Sequence, residues 1–467
     1  MDNVEKLLAI EEIKQLRARF ARCMDTKQWQ EMQDTITDDC EFDCRDGTVV
    51  TEMWIGAEDV VANIRRSLDA AVSVHHAHMP EIEITSPTTA KGLWAMQDYL
   101  RFFAGGGTVD LVGAGHYHET YEKQQDGRWR LKSYLLTRLR VDISQPPAPV
   151  AAPRNYAERN IKAAVAENYG GPEVLTYREV PEPLPGPGEL LLKVAAAAVN
   201  PVDVKLRNGG LSMFLPLEFP AQLGGDVSGT VEAVGAGVTN FAPGDRVIGM
   251  INPAKDGAYA EKIVAPADAF VKIPNTLDLV DAAALPMAAL TGAQLIELGI
   301  KPKPGDRILV TGAAGSVGRA AVYSAAAAGA TVVAGIRAGA RKAVEGLPIA
   351  AAVDLGDAAA VAAAGPFDAI ADTIGGRLAE RLCAHIKPGG KLASVVSPAP
   401  LAPVGSSVVS VPVWVAFDGP RLSQFLNDVV TKGWTIPVAH RLPLAEAAKA
   451  HALLEAGGLH GKILLIP

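Results

Sequence analysis

Two hydrophobic rhythms run through the front of the chain. Over residues 2–23, apolar side chains fall at Val4, Leu7, Leu8, Ile13, Leu16 and Phe20, the spacing of one helix face. A second short helix is predicted over 29–36. Asp38-Asp39 breaks its pattern, and 40–43 reads as a short strand. Residues 56–71 read as a helix with acids early and Arg65-Arg66 late, the order that suits the helix dipole. Alternation then takes over. Residues 75–84, 91–102, 115–123 and, after the turn Asp126-Gly127, 129–141 are β-like runs. Helices first and strands afterwards predict an α+β cone, a curved antiparallel sheet with one open end.

Residues 144–160 are rich in proline and alanine and lack any period, which predicts an extended, semi-rigid linker. The rest of the chain is organised around Ile308-Leu309-Val310-Thr311-Gly312-Ala313-Ala314-Gly315-Ser316-Val317-Gly318. An apolar β-branched run leads into a small-residue loop, and the alanine-rich segment 319–328 then reads as a helix. Strand, glycine turn and helix in that order make a phosphate cradle. Backbone N–H groups approach a pyrophosphate closely, and the helix N-terminus adds partial positive charge. A second strand, 331–336, ends at Arg337, with Arg341 and Lys342 just beyond. An acid at that place would bind the ribose hydroxyl of NAD, whereas an arginine suits the 2′-phosphate of NADP. An ordinary tight turn is the alternative, and the flanking strand and helix weigh against it.

Composition narrows the setting. A chain of 467 residues is too long for one core, so two or three domains are expected. With 49% hydrophobic and 21% charged residues it is globular. A net charge of -8 argues against a nucleic-acid partner. No apolar run reads as membrane-spanning, and the first twelve residues lack a basic and apolar leader, so a cytoplasmic protein is expected. Four cysteines, Cys23, Cys40, Cys44 and Cys383, make no paired zinc pattern; reduced thiols and no metal are expected. Five of the nine histidines (His75, His76, His78, His116, His118) and four of the six tryptophans (Trp29, Trp54, Trp94, Trp129) lie in the front portion, which therefore differs in character from the remainder.

The front portion, 1–143, resembles the SnoaL-like, nuclear-transport-factor-2-like superfamily. The resemblance is carried by Ala9-Ile10-Glu11-Glu12-Ile13, Met24-Asp25-Thr26-Lys27-Gln28-Trp29, His75-His76-Ala77-His78-Met79-Pro80-Glu81-Ile82 and Gly127-Arg128-Trp129-Arg130-Leu131. That superfamily includes cyclases, isomerases and dehydratases as well as noncatalytic binding modules. From Ile161 onward the chain resembles the medium-chain dehydrogenase/reductases, in their zinc-free quinone oxidoreductase branch. The carriers are Gly170-Gly171-Pro172-Glu173-Val174-Leu175, Pro187-Gly188-Glu189-Leu190-Leu191, Ala198-Val199-Asn200-Pro201-Val202-Asp203, Gly224-Gly225-Asp226-Val227-Ser228-Gly229, Pro243-Gly244-Asp245-Arg246-Val247, Leu290-Thr291-Gly292-Ala293, the glycine loop and Gly461-Lys462-Ile463. This resemblance implies a GroES-like β-barrel, 161–285 closed by 414–467, with an α/β Rossmann NADP-binding domain, 286–413, inserted between.

Zinc dehydrogenases of the superfamily carry Cys, His and Glu where this chain has Asn200 and Gly225-Asp226, so the resemblance implies chemistry without zinc. The zinc-free branch uses NADP(H) to reduce conjugated C=C bonds of quinones or enones. By resemblance, Asn200 is the pocket asparagine beside the nicotinamide, with Asp203 further along the same turn. Turn chemistry around Pro201 is the plain alternative for both. Thr291 matches a cofactor threonine. Gly312, Ala313, Ala314, Gly315, Ser316, Val317 and Gly318 form the pyrophosphate loop, with Arg337 and Arg341 for the extra phosphate. Where family members carry an aromatic or tyrosine, this chain has Leu211-Ser212-Met213-Phe214.

In the front portion, the superfamily's dehydratases pair a helical aspartate with a strand histidine and often a tyrosine. Asp25 fits the aspartate, and Phe20 stands at the tyrosine's place. Period two puts His76 and His78 on one face and His75 on the other. Motif register favours His75; clustering would instead have His78 line the cone with His116 or His118. An Asp–His pair can take a proton α to a carbonyl and return it to a leaving hydroxyl. Structural histidines are the alternative, as is a noncatalytic binding or dimerisation module. A small-molecule substrate (an enone, quinone or hydroxy-ketone) and a homo-oligomer are expected, with no nucleic acid and no membrane.

Overall fold

The computed structural model describes residues 1–44, 53–104, 107–144, 155–212, 215–255, 257–397, 399–403 and 405–467. The chain divides into two compact units, Met1–Val150 with Pro403–Ser406, and Ala151–Ala402 with Ser407–Pro467.

The front unit begins with helix Asn3–Asp25. Asp2 caps it by accepting the Val4 and Glu5 N–H groups at 2.8 Å, while Glu5 returns a bond to the Asp2 N–H at 2.7 Å. Of its apolar stripe, Ile13, Leu16 and Phe20 are buried, while Val4, Leu7 and Leu8 stay exposed. Helices Trp29–Gln33 and Ala57–Leu68 complete the helical layer. The sheet has six strands in the order Trp54–Ile55, Ile36–Asp43, Trp129–Ser144, Gly107–Lys123, Thr89–Ala104, Val72–Ile84. All pairs are antiparallel except Ile36–Asp43 beside Trp129–Ser144.

Local expectations are corrected here in three places. The helix over 29–36 stops at Gln33, and strand Ile36–Asp43 runs straight through Asp38-Asp39. Both aspartates are exposed, Asp39 meets Lys132 at 2.5 Å, and the pairing with Trp129–Ser144 shifts register between Ile36 and Glu41, so the two acids sit at an irregularity in the ladder and not at the end of the strand. The strand expected from 115 starts at Gly107. At the expected linker, Ser144 still ends a strand and strand Tyr156–Ala166 is already under way by 160. Tyr156 pairs with Pro183, and Arg159 meets Glu182 at 2.6 Å, so sheet pairing begins ahead of Ile161. Residues 145–154, the middle of that linker, lie outside the described residues.

In the second unit a three-stranded sheet (Ala221–Gln222, Tyr156–Ala166, Leu175–Pro183) accompanies a seven-stranded one. The larger sheet runs Phe270–Lys272, Arg246–Met250, Asp226–Val234, Glu189–Val199, Lys462–Ile466, Val438–Pro443, with Lys262–Pro266 also on Glu189–Val199. The last strand therefore returns to the barrel: Ile463 pairs with Val199, which sets Lys462 beside Asn200. Inserted between is a parallel sheet ordered Ala351–Asp354, Thr331–Ile336, Arg307–Thr311, Phe367–Asp372, Ile386–Ser394, Val409–Pro412. Ile308, Leu309 and Val310 are fully buried, as a strand covered on both faces requires. One helical stretch, Asp281–Ile300, is long and apolar enough to cross a membrane, contrary to the expectation that no run would be; 83% of its apolar window is buried inside this unit, where it packs as a core helix.

Candidate functional site

Asp25 ends the first helix, and His75 sits on the inward phase of strand Val72–Ile84. His75 Nδ1 lies 2.6 Å from Asp25 Oδ1, and the His75 backbone N–H donates to Oδ2 at 2.8 Å. The Ser73 hydroxyl donates to Oδ1 at 2.9 Å and in turn accepts from Lys27 Nζ at 2.9 Å. Burial pushes the Asp25 carboxyl up, but the bonds from His75 and Ser73 outweigh it and hold it below the usual carboxylate range. Burial also lowers the Lys27 ammonium. A carboxylate only accepts, so Nδ1 carries a proton, and in the neutral tautomer that leaves the lone pair on Nε2, where a general base needs it.

Directly across the ladder from His75 stands Asp98, which is 2% exposed. Arg138 grips it with two bonds, at 3.1 and 2.8 Å. That pair spans the strand between them because Gly113 has no side chain: a Cβ there would meet Arg138 Nη1 at 1.9 Å and Asp98 Oδ1 at 2.1 Å. Asp98 and Arg138 were missed in the sequence. A lone acid on the inward phase of an apolar strand was the available signal.

Deeper in the same unit, Arg17 lies 2.8 Å from Glu119 and 4.5 Å from the centre of the Tyr117 ring. The Tyr121 hydroxyl donates to Glu119 and accepts from Trp94 Nε1 at 2.8 Å. Phe20 packs against Phe42 and Tyr134.

The clustering that would have His78 line the cone is corrected. His76, His78 and His118 are exposed on the opposite face from His75, and His116 is half-buried there. His78 faces Ala95, which faces His116, so the row runs along the outside of the sheet. His118 bonds Thr137 Oγ1 at 3.0 Å. Among the described residues, no three His, Cys, Asp or Glu side chains gather for a metal, and no cysteine is in a disulfide.

In the second unit, strand Arg307–Thr311 delivers the chain to Gly312 at φ 63°, and helix Ser316–Ala327 starts after Gly315. A Cβ on Gly318 would meet Gly312 O at 2.2 Å, so the helix seats against the loop only because that position is bare. The first N–H groups of the helix have no intrahelical acceptor and are free to cradle an anion. Asp372, fully buried, anchors the loop from below. It accepts from the Thr311 hydroxyl at 2.8 Å, the Ser394 hydroxyl at 2.7 Å and the Gly375 N–H at 3.1 Å. Thr291 belongs to helix Pro286–Gln294, which comes close enough that a Cβ on Gly292 would strike Val317 O at 2.6 Å. Arg337 is exposed just past strand Thr331–Ile336, and Arg341, also exposed, bonds Ala352 O at 3.3 Å. These groups fit a dinucleotide with an extra phosphate: a bare loop, a helix N-terminus and two exposed guanidiniums.

Asn200 and Asp203 are buried together. Asp203 Oδ2 accepts the Asn200 N–H at 2.8 Å and the Tyr259 hydroxyl at 3.3 Å, and its Oδ1 is buried without a hydrogen-bond partner. Tyr259 also meets His451 Nε2 at 3.1 Å, and His451 Nδ1 meets Arg207 at 3.2 Å. An arginine only donates, so Nδ1 accepts and Nε2 carries the proton. Arg207, His451 and Tyr259 therefore form a donor relay that ends on Asp203, while Arg207 also donates to Gly170 O and Glu455. Burial, with Asp226 nearby, pushes the Asp203 carboxyl up to about 7, against the Asn200 bond. Burial and Arg207 push His451 down to about 3. Asn200 Nδ2 donates to Asp226 at 3.0 Å, Lys462 donates to Asn200 Oδ1, and Lys462 meets Asp226 at 3.0 Å. Of the segment 211–214, Met213 and Phe214 lie outside the described residues.

Three family models match the chain. Residues 5–134 match the SnoaL-like domain family, 186–275 the alcohol dehydrogenase GroES-like domain family and 349–465 the zinc-binding dehydrogenase family. The chain is 41% identical over 170 residues to a chloroplast envelope quinone oxidoreductase homolog of Arabidopsis thaliana, covering 35% of this chain and 52% of that protein. It is 37% identical over 175 residues to a 2-haloacrylate reductase of a Burkholderia species, covering 37% and 52%. The chain thus spans about half the length of these curated relatives. A solved mycobacterial structure, Rv1454c complexed with NADPH, superimposes with a TM-score of 0.58 at 30% identity, covering 66% of this chain and 100% of that one.

Proposed function

The chain belongs to the medium-chain dehydrogenase/reductases of quinone oxidoreductase type, joined to a SnoaL-like domain, and from that premise we propose that it is an NADPH-dependent reductase of α,β-unsaturated ketones or quinones. The observation that carries the reading is the bare glycine cradle of 312–318 ending a strand, with Arg337 exposed where the next strand ends. Similarity to a 2-haloacrylate reductase and to a structure holding NADPH supports it. When bound, the cofactor supplies a hydride to the β-carbon of the conjugated substrate. The chain's own part is to hold and orient. The loop N–H groups take the pyrophosphate, Arg337 and Arg341 take the 2′-phosphate, and Thr291 sits beside the loop. The Asn200 amide supplies a donor for the oxygen on which negative charge develops. The reaction needs no zinc.

The front unit acts on a related hydroxy-ketone, steroid-like or polyketide-like. His75 Nε2 removes a proton α to the carbonyl, Asp25 holds the resulting imidazolium, and the proton leaves with the β-hydroxyl. Elimination of this kind makes an enone that the second unit saturates. Phe20, buried where a dehydratase would offer a tyrosine, favours a second reading in which the front unit binds substrate or assembles the protein without turnover.

Stopped-flow oxidation of NADPH against a panel of enones and quinones tests the main reading. Saturable turnover with any of them supports it, and none with all of them overturns it.

A further inference from the structure

Residues 349–465 match a zinc-binding dehydrogenase family, so a metal is the first candidate for a cation held by the turns at Asn200 and Asp226. The side chains present do not fit one. Gly225 brings no donor, Asn200 brings a neutral amide, and the ammonium of Lys462 lies within hydrogen-bond reach of both Asn200 and Asp226. A metal ligated there would face that charge directly. We propose that the Lys462 ammonium is itself the resident cation of the reductase site, a positioning residue that fixes and polarises the Asn200 amide for a substrate oxygen. This rests on the reading of the second unit as an enone reductase.

The geometry follows from what each group can do. Lysine only donates, so it must meet Oδ1 of Asn200; a carboxylate only accepts, so Asp226 must meet Nδ2. Both neighbours demand the same amide orientation, and the amide cannot flip. Asp226 is held in turn by the Met287 N–H, which donates to its other oxygen at 2.8 Å from the first turn of the helix that carries Thr291. Asn200, Asp226 and Lys462 are 3%, 0% and 7% exposed, so water does not screen the charge. One Nδ2 hydrogen is spent on Asp226. The other has only Ala198 O, at 3.4 Å, and is the one a substrate oxygen can claim. A positive charge on the amide oxygen makes that hydrogen a stronger donor. Lys462 is delivered by strand Lys462–Ile466, 262 positions beyond Asn200 in the chain.

The test uses the full chain with NADPH, one enone and one quinone, and the variants Lys462→Met, Lys462→Arg and Asn200→Leu, with Lys462→Met also made in the Asn200→Leu background. Lys462→Met should lower kcat for the enone by about 10-fold or more, less than the roughly 10²–10³ lost when a donor itself is removed, because Asn200 remains. NADPH affinity should hold, and Lys462→Arg should recover part of the rate. In the Asn200→Leu background the same change should cost nothing further, which a merely structural lysine would not show. Unchanged kcat in Lys462→Met, no recovery in Lys462→Arg, or additive losses in the double variant would each overturn the proposal while leaving the reductase reading intact. An inactive wild type would remove both. If Lys462→Met fails to fold, Lys462→Arg and the Asn200→Leu comparison with it still decide: equal losses from Lys462→Arg in both backgrounds count against.

Discussion

His75 Nδ1 and Asp25 Oδ1 stand 2.6 Å apart, although 50 positions separate the two residues in the chain. The helix end and the inward phase of the first long strand bring them together. Asp25→Asn keeps the shape and replaces the accepting oxygens with an ambiguous amide, so His75 loses its fixed tautomer. The expected outcome is a fall of about 100-fold or more in exchange of α-protons of a β-hydroxy-ketone into deuterated water, followed by NMR. NADPH oxidation by a quinone should stay unchanged. Absence of exchange in the wild type would favour the noncatalytic reading of the front unit.

Gly113→Ala puts a methyl group where Arg138 and Asp98 meet. Breaking a buried pair in this way costs about 3–5 kcal/mol. The expected result is a lower melting temperature for the front unit, read by its tryptophan fluorescence, with the NADPH affinity of the second unit preserved.

Asp203 and His451 set opposite pH dependences. A carboxyl raised to about 7 gives stability that is full below its unfolded value, near 4, and lost as pH rises through 7. A histidine lowered to about 3 gives stability that is full above its unfolded value, near 6.5, and lost as pH falls towards 3. Between roughly pH 4 and 6.5 the two slopes cancel, because folded and unfolded chains hold one proton each on the pair. Asp203→Asn should unmask a melting temperature that rises with pH across that window, and His451→Gln one that falls. Parallel curves for the two variants would contradict the assignment.

Arg337→Asp tests cofactor choice. NADPH affinity is expected to fall by about 10-fold or more while NADH gains relative to it, since a charge-assisted pair to the 2′-phosphate becomes a repulsion. Fluorescence titration with both nucleotides measures the ratio. An unchanged ratio would place the phosphate elsewhere.

Much of this was legible because period and turn chemistry are local. The run 308–318 announces strand, loop and helix by itself, and alternation alone separates His75 from His76 and His78. What stayed hidden depends on pairing between distant segments. Asp98 matters because the ladder sets it opposite His75 and because Gly113 leaves room for Arg138. Lys462 looked like one residue of a closing motif until strand Lys462–Ile466 paired with Glu189–Val199 and laid its ammonium on Asn200. The acids at 38 and 39 misled for a related reason: the strand carries them at a register shift against its neighbour, and only the pairing shows where that shift falls.

Equilibrium binding of NADPH and NADH to the full chain, followed by single-turnover reduction of one enone, tests the central claim most directly. The expected result is tighter binding of NADPH and saturated product formed in proportion to NADPH consumed. Nucleotide binding without any consumption, across enones and quinones alike, would contradict it.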